Sequence, residues 1–171
     1  ANISDAINAG RGWVTYLGHG SGLDWSTTSP AYGTSHIDAL MNTDRLVTVM
    51  DVSCSNGGFD VYDSCFAESW MRARNGDAPT GAVAIYSSST PTAWDESAEM
   101  AVGLTEAFVD GGVYHWGALA FAGRAYLQQI MGTGSGVEET LQQYVVFGDS
   151  SLSVRSRAPR ALSLTGPAVV P

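Results

Sequence analysis

The sequence predicts an α/β fold built on a mostly parallel sheet, and three observations carry that prediction. Short apolar, β-branched runs recur at residues 12–17, 46–52 and 81–86, the pattern of strands buried on both faces. Each run stops at small, turn-forming residues: Gly18-His19-Gly20-Ser21, Ser53-Cys54-Ser55-Asn56-Gly57-Gly58 and Ser87-Ser88-Ser89-Thr90. Between the runs lie stretches of helical spacing with short connections, the arrangement of a sheet covered by helices on both faces.

In chain order, residues 1–10 read as a short helix or a frayed lead-in, with Ile3 and Ile7 spaced for one helical face. A strand at 13–17 is followed by a loop over 20–33 rich in Gly, Ser and Thr. Ser35-His36-Ile37-Asp38 reads as a capping box opening a short helix to about Asn42. The second strand, 46–52, precedes a helix over 65–74 with Phe66, Trp70 and Ala73 on one stripe, ended by Asn75-Gly76-Asp77. The third strand runs into a serine-rich loop reaching Trp94. Two helices follow. Residues 96–109 place Met100, Leu104 and Phe108 on one face, and 114–131 carry Ala118, Ala122 and Ala125 as a stripe for close packing. Residues 138–143 add a helical turn, 144–147 a fourth strand, and Gly148-Asp149-Ser150-Ser151 a turn. Residues 158–171 hold three of the six prolines and read as a linker or the first strand of a following domain.

A chain of 171 residues with 44% hydrophobic content fits one domain with a sizeable core and is too apolar for disorder. The net charge of −9, from 17 acidic and 8 basic residues, lacks the basic footprint of a nucleic-acid binder and disfavours docking on anionic lipid. No apolar run has the length of a membrane span. The chain starts at Ala1 rather than Met, as a processed or excised piece does, so the lack of a signal peptide is silent about export. Two cysteines make no disulfide framework, and no metal-ligand spacing is visible.

Ligands of open α/β sheets bind at the carboxyl ends of the strands. His19 ends the first strand and Cys54 the second, so parallel pairing of these strands would bring out the two side chains together, the minimum for a thiolate nucleophile. A free cysteine is more often structural, and Cys65, within an amphipathic helix, fits that role. His36 and His115, at helix starts, read as structural too. The glycines flanking His19 let a substrate backbone approach and free the Gly20 amide to point inward. The Gly-His-Gly-Ser-Gly string is not a serine-hydrolase elbow, because His19 occupies the position two before Ser21. Trp94 is a core contact or a pocket wall, and the residues alone leave both open. Asp51 and Glu68 read as structural hydrogen-bond partners.

Taken in order, Gly18-His19-Gly20-Ser21, Asp51-Val52-Ser53-Cys54-Ser55-Asn56-Gly57-Gly58-Phe59, Cys65-Phe66-Ala67-Glu68, Met71-Arg72-Ala73, Pro79-Thr80-Gly81-Ala82-Val83-Ala84-Ile85, Trp94 and Val146-Phe147-Gly148-Asp149-Ser150-Ser151-Leu152 resemble the gingipain-type cysteine peptidases of family C25. The resemblance covers about residues 12–156. It implies a caspase-like three-layer α/β sandwich with a mostly parallel sheet and its N-terminal strands outside this chain. Residues 1–157 would be the C-terminal part of a catalytic domain and 158–171 a linker or the start of an immunoglobulin-like domain. The implied activity is that of a secreted or cell-surface cysteine endopeptidase, made as a zymogen, that cleaves protein or peptide substrates through an acyl-enzyme. By the same resemblance Cys54 is the nucleophile and His19 the general base and acid. The Gly20 and Cys54 amides form the oxyanion hole, and Val52, Ser53 and Trp94 bind substrate. No cofactor or site metal is implied, and a structural calcium ion is compatible with the family. Ser150 replaces a proline usual in the Gly-Asp-Pro-Ser turn. The acid that orients the histidine and the aspartate that selects arginine both lie upstream in gingipains. A sortase-like transpeptidase of the same family and a non-catalytic binding or adhesion domain are the alternatives, the intact His19–Cys54 pair speaking against the latter.

Only about a dozen residues precede Trp13, too few for two strands and a crossover. The strand at 13–17 would then be an exposed apolar edge. The expectation is a second chain, an upstream fragment of the same precursor, supplying the missing strands, the acid that orients His19 and part of the pocket.

Overall fold

The structure, a computed structural model, describes residues 2–156. Along the chain, α1 (Ile3–Asn8) leads to β1 (Trp13–Leu17), and β2 (Asp24–Trp25) pairs with β3 (Tyr32–Gly33) in a small hairpin. Then come α2 (Thr34–Asp38), β4 (Val47–Val52), α3 (Phe66–Arg72), a second hairpin of β5 (Arg74–Asn75) and β6 (Ala78–Pro79), and β7 (Ala82–Ser88). The helices α4 (Trp94–Val109), α5 (Trp116–Met131) and α6 (Ser135–Gln143) precede β8 (Tyr144–Phe147).

The central sheet has the order β1-β4-β7-β8. The first three strands run parallel, as the apolar runs predicted, and all six residues of β4 are buried. Alternation along these strands feeds two cores. Val47, Val49 and Ile85 face α1, α2 and α3, meeting Ile7, Ile37, Phe66 and Trp70. Met50, Val52, Ala84 and Tyr86 face α4 and α5, meeting Met100, Leu104, Trp116 and Leu119. The result is a mostly parallel sheet between two helical layers. β8 departs from the parallel pattern and pairs antiparallel to β7, with Tyr144 opposite Ser88. The cause is delivery: α6 ends at Gln143 and β8 starts at the next residue, at the carboxyl edge of the sheet, so the strand can only run back.

The alanine stripe expected to seat the helix at 114–131 does not do so. Ala118 and Ala125 are exposed, and the core side of α5 carries Trp116, Leu119, Ala120, Gly123 and Leu127. That stripe buries far more apolar area, which decides the helix's rotation. Close approach to α4 is made by Gly123 instead, where a Cβ would lie 2.6 Å from the Met100 carbonyl oxygen.

Other boundaries move for local reasons. Ser35 does not cap α2: the helix starts two residues earlier than such a cap would place it, after Gly33, whose amide donates to His36 Nδ1. Cys65 caps α3 rather than lying within it, with its amide donating to Glu68 Oε2. Ser87 and Ser88 belong to β7 and are buried, which shortens the loop after it. Trp94 is the first residue of α4, not the end of a loop.

Among the described residues β1 has no strand on its other side. Leu17 is 54% exposed there, beside an apolar groove lined by Val52, Ala98, Ala101 and Val102.

Candidate active site

The register of β1 on β4 places the two candidate reactive residues. Leu17 pairs with Val52, and the Gly18 amide donates to the Val52 carbonyl at 3.1 Å, carrying the ladder one step further. His19 and Cys54 each follow the last pair by two residues. By strand alternation both belong to the face of Leu17 and Val52, the face that α4 covers.

The contacts agree. The His19 ring packs edge-on against Trp94, with centroids 5.3 Å apart. The Thr92 amide lies 3.5 Å from Cys54 Sγ, and the thiol lies 3.8 Å from the Thr92 carbonyl. Cys54 is half-buried and His19 exposed. Val52, Ser53, Cys54, Thr92, Trp94 and Ser97 line a small cleft, which brings together four of the residues singled out in the sequence, with His19 at its edge against Trp94. Ser53 faces it in part only, because its hydroxyl donates to Asp51 and accepts from Asn56.

The backbone around both residues is pinned. The His19 amide donates to Thr27 Oγ1 at 2.8 Å, and its carbonyl accepts from the Tyr16 hydroxyl at 2.8 Å and the Ser26 amide at 2.9 Å. After Cys54 the chain turns through Ser55 at φ 61°, a left-handed conformation that costs a non-glycine residue about 1–2 kcal/mol. That turn is held by the Ser55 amide on the Thr90 carbonyl and the Gly57 amide on the Ser88 carbonyl. The neighbouring amides differ. Neither Gly20 nor Cys54 N–H donates to an acceptor among the described residues. Gly20 has no room for a side chain, since a Cβ would lie 2.5 Å from the Cys54 carbonyl oxygen and 2.7 Å from Ser53 Oγ.

On the opposite face of the sheet lies a buried polar network. Asp51 is fully buried; its Oδ1 accepts from Trp25 Nε1 at 3.0 Å and Ser53 Oγ at 2.7 Å, and its Oδ2 from Ser87 Oγ at 2.8 Å. Burial pushes its carboxyl above the ordinary range, against the pull of these donors. Asn56, also fully buried, accepts from the Gly22 amide and donates to the Asp24 carbonyl and Ser53 Oγ. Asp51 thus has the hydrogen-bonding role expected, as does Glu68. Sequence reasoning missed Asn56, read as a turn former, and Trp25. A large aromatic in a loop of Gly, Ser and Thr was the available signal: its indole is buried among Tyr16, Tyr32, Phe66 and Trp70. No cluster of three or more His, Cys, Asp or Glu placed to hold a metal occurs among the described residues. No helix among them is long and apolar enough to cross a membrane.

A cysteine and a histidine thus emerge at the carboxyl edge of a parallel sheet, beside amides that bond no acceptor among the described residues. A sequence profile of Peptidase family C25 matches residues 1–155, and the chain belongs to that family. It is 36% identical over 177 residues to gingipain R1 of Porphyromonas gingivalis, covering 99% of this chain and 17% of that protein. Its fold matches the crystal structure of the Arg-specific cysteine proteinase gingipain R with a TM-score of 0.86 and 33% identity, over 98% of this chain and 39% of that one. A complex of pro- and mature domains of the Porphyromonas gingivalis protease RgpB matches with a TM-score of 0.85 and 32% identity, over 98% and 40%. The chain therefore spans about a sixth of the curated relative and two fifths of the solved chains.

Proposed function

We propose that this chain carries the reacting groups of a cysteine endopeptidase that cleaves peptide bonds through an acyl-enzyme. The observation that carries the reading is the shared offset of His19 and Cys54 from the Leu17–Val52 pair, with the unengaged Gly20 and Cys54 amides on the same edge. His19 accepts the proton of the Cys54 thiol, and the thiolate adds to the scissile carbonyl carbon. The oxyanion formed lies against the Gly20 and Cys54 amides. Collapse breaks the C–N bond, and the imidazolium returns its proton to the leaving amine. Water, deprotonated by His19, then opens the thioester and restores the thiol. A peptidyl chloromethyl ketone added to the full-length enzyme is expected to give one adduct, on Cys54, and His19→Ala to slow it sharply. An adduct on Cys65, or none, would overturn the reading.

Trp94, 50% exposed at the cleft, supplies a flat wall for the side chain preceding the scissile bond. None of the residues lining the cleft is charged. Arginine selection, as in the gingipain R named above, would therefore draw its countercharge from outside this lining. Trp94→Ala is expected to re-order peptide substrates by P1 residue. A changed Tm with an unchanged P1 profile would make Trp94 a packing residue only.

The unpaired edge of β1 and its apolar groove favour an upstream segment of the same precursor as the partner that completes the sheet. The solved complex of pro- and mature domains in a relative is consistent with assembly from one precursor. A protease of this kind acts on proteins or peptides outside the cell or at its surface.

A further inference from the structure

We infer that Asp51 is a positioning residue that fixes the His19-bearing hairpin against the Cys54 loop from the far side of the sheet; this rests on the catalytic reading of His19 and Cys54. The geometry is a bond path with Asp51 at its middle. One arm runs from Oδ1 to Ser53 Oγ, the residue directly before Cys54. The other runs from the same oxygen to Trp25 Nε1. Trp25 forms an antiparallel bridge with Gly20, and the next residue, Ser26, donates its amide to the His19 carbonyl. A third bond, from Ser87, ties the carboxyl to β7.

A buried carboxyl with no cation among its bonded partners is costly, and that cost is offset only through the donors it holds. What a carboxyl adds is two oxygens that fix three donors from three separate segments. Indole is a donor only, so Trp25 cannot satisfy itself by turning, whereas the serine hydroxyls can. Asn56 braces the same junction, bonding Gly22, Asp24 and Ser53. His19 itself is exposed, and its ring makes no hydrogen bond among the described residues, so its placement depends on its edge-on contact with Trp94 and on how its backbone is held.

The test uses the full-length enzyme and three variants. Asp51→Ala removes the acceptor, and Trp25→Phe removes the donor while keeping the ring. Asp51→Asn keeps one oxygen for Trp25 and Ser53 and can donate to Ser87, whose hydroxyl turns to accept. The alanine and phenylalanine variants are each expected to lose about tenfold to a hundredfold in kcat, the scale of a small misplacement, with KM nearly unchanged. Iodoacetamide labelling of Cys54 should slow in parallel. The double variant should be no worse than Asp51→Ala alone, and Asp51→Asn should keep most of the activity. Asn42→Ala serves as the control: this buried side chain bonds Gly81 and Arg45 away from the site, so its loss should lower Tm and leave kcat alone. If Trp25→Phe, and any Asp51→Ala that folds, lowered Tm but kept wild-type kcat, Asp51 would be structural and the inference wrong. Should activity survive Cys54→Ala, the catalytic reading itself would fall, a separate outcome.

Discussion

Cys54→Ala is expected to abolish peptide-bond cleavage, a loss of about 10⁵-fold or more, the order that follows removal of a covalent nucleophile. The fold should survive it, because Cys54 is only half-buried and its sulfur's hydrogen-bond partners are the Thr92 amide and carbonyl alone. Cys65 is the internal control. It is fully buried at the start of α3, and burial pushes its thiol up, away from the thiolate that reacts. Cys65→Ala should cost about 1 kcal/mol of stability through a small cavity and leave kcat unchanged. Iodoacetamide near neutral pH should therefore mark Cys54 in the native enzyme and Cys65 only after unfolding. Peptide mapping by mass spectrometry reads both sites at once, and preferential native labelling of Cys65 would contradict the assignment.

Gly20→Ala is expected to lower kcat by about 10²- to 10³-fold, the range seen when one oxyanion donor is lost. The added methyl would meet the Cys54 carbonyl oxygen at 2.5 Å and Ser53 Oγ at 2.7 Å. The Cys54 loop has little freedom to give way, since Ser55 and Gly57 are tied to Thr90 and Ser88. Relief comes from turning the Gly20 amide or from shifting the Cys54 amide, and either spoils a donor. Gly134→Ala is the matching control: its methyl meets open space, so kcat should hold while Tm falls slightly, because Gly134 is the N-cap of α6. Steady-state kinetics on one peptide amide would decide, and a wild-type kcat for Gly20→Ala would remove that amide from the mechanism.

Much of this arrangement was legible in the chain because strands buried on both faces write themselves as unbroken apolar runs. That is how β1, β4 and β7 were found, and why His19 and Cys54 stood out at their ends. The rest depended on contacts that no local pattern encodes. The direction of β8 follows from where α6 releases the chain. Which stripe of α5 faces inward was a contest between small and large apolar residues, and the sequence reading favoured the wrong one. The braces behind the site pair residues 26 and 36 positions apart, Trp25 and Ser87 with Asp51, so only folding reveals them.

The parallel pairing of Leu17 with Val52 also makes the site a matter of counting. Each reactive residue lies two positions beyond its member of that pair, with a single residue between. Volume changes within β1 and β4 alter packing by degrees, but a change in length does not act by degrees. Deleting one residue between Leu17 and His19, or inserting one between Val52 and Cys54, would swing a reactive side chain through the plane of the sheet to the side of Asp51 and Trp25. The imidazole and the thiol would then sit on opposite faces of an otherwise well-packed protein. Length can drift in the hairpins and helical connections, but these two short spans have to keep their number.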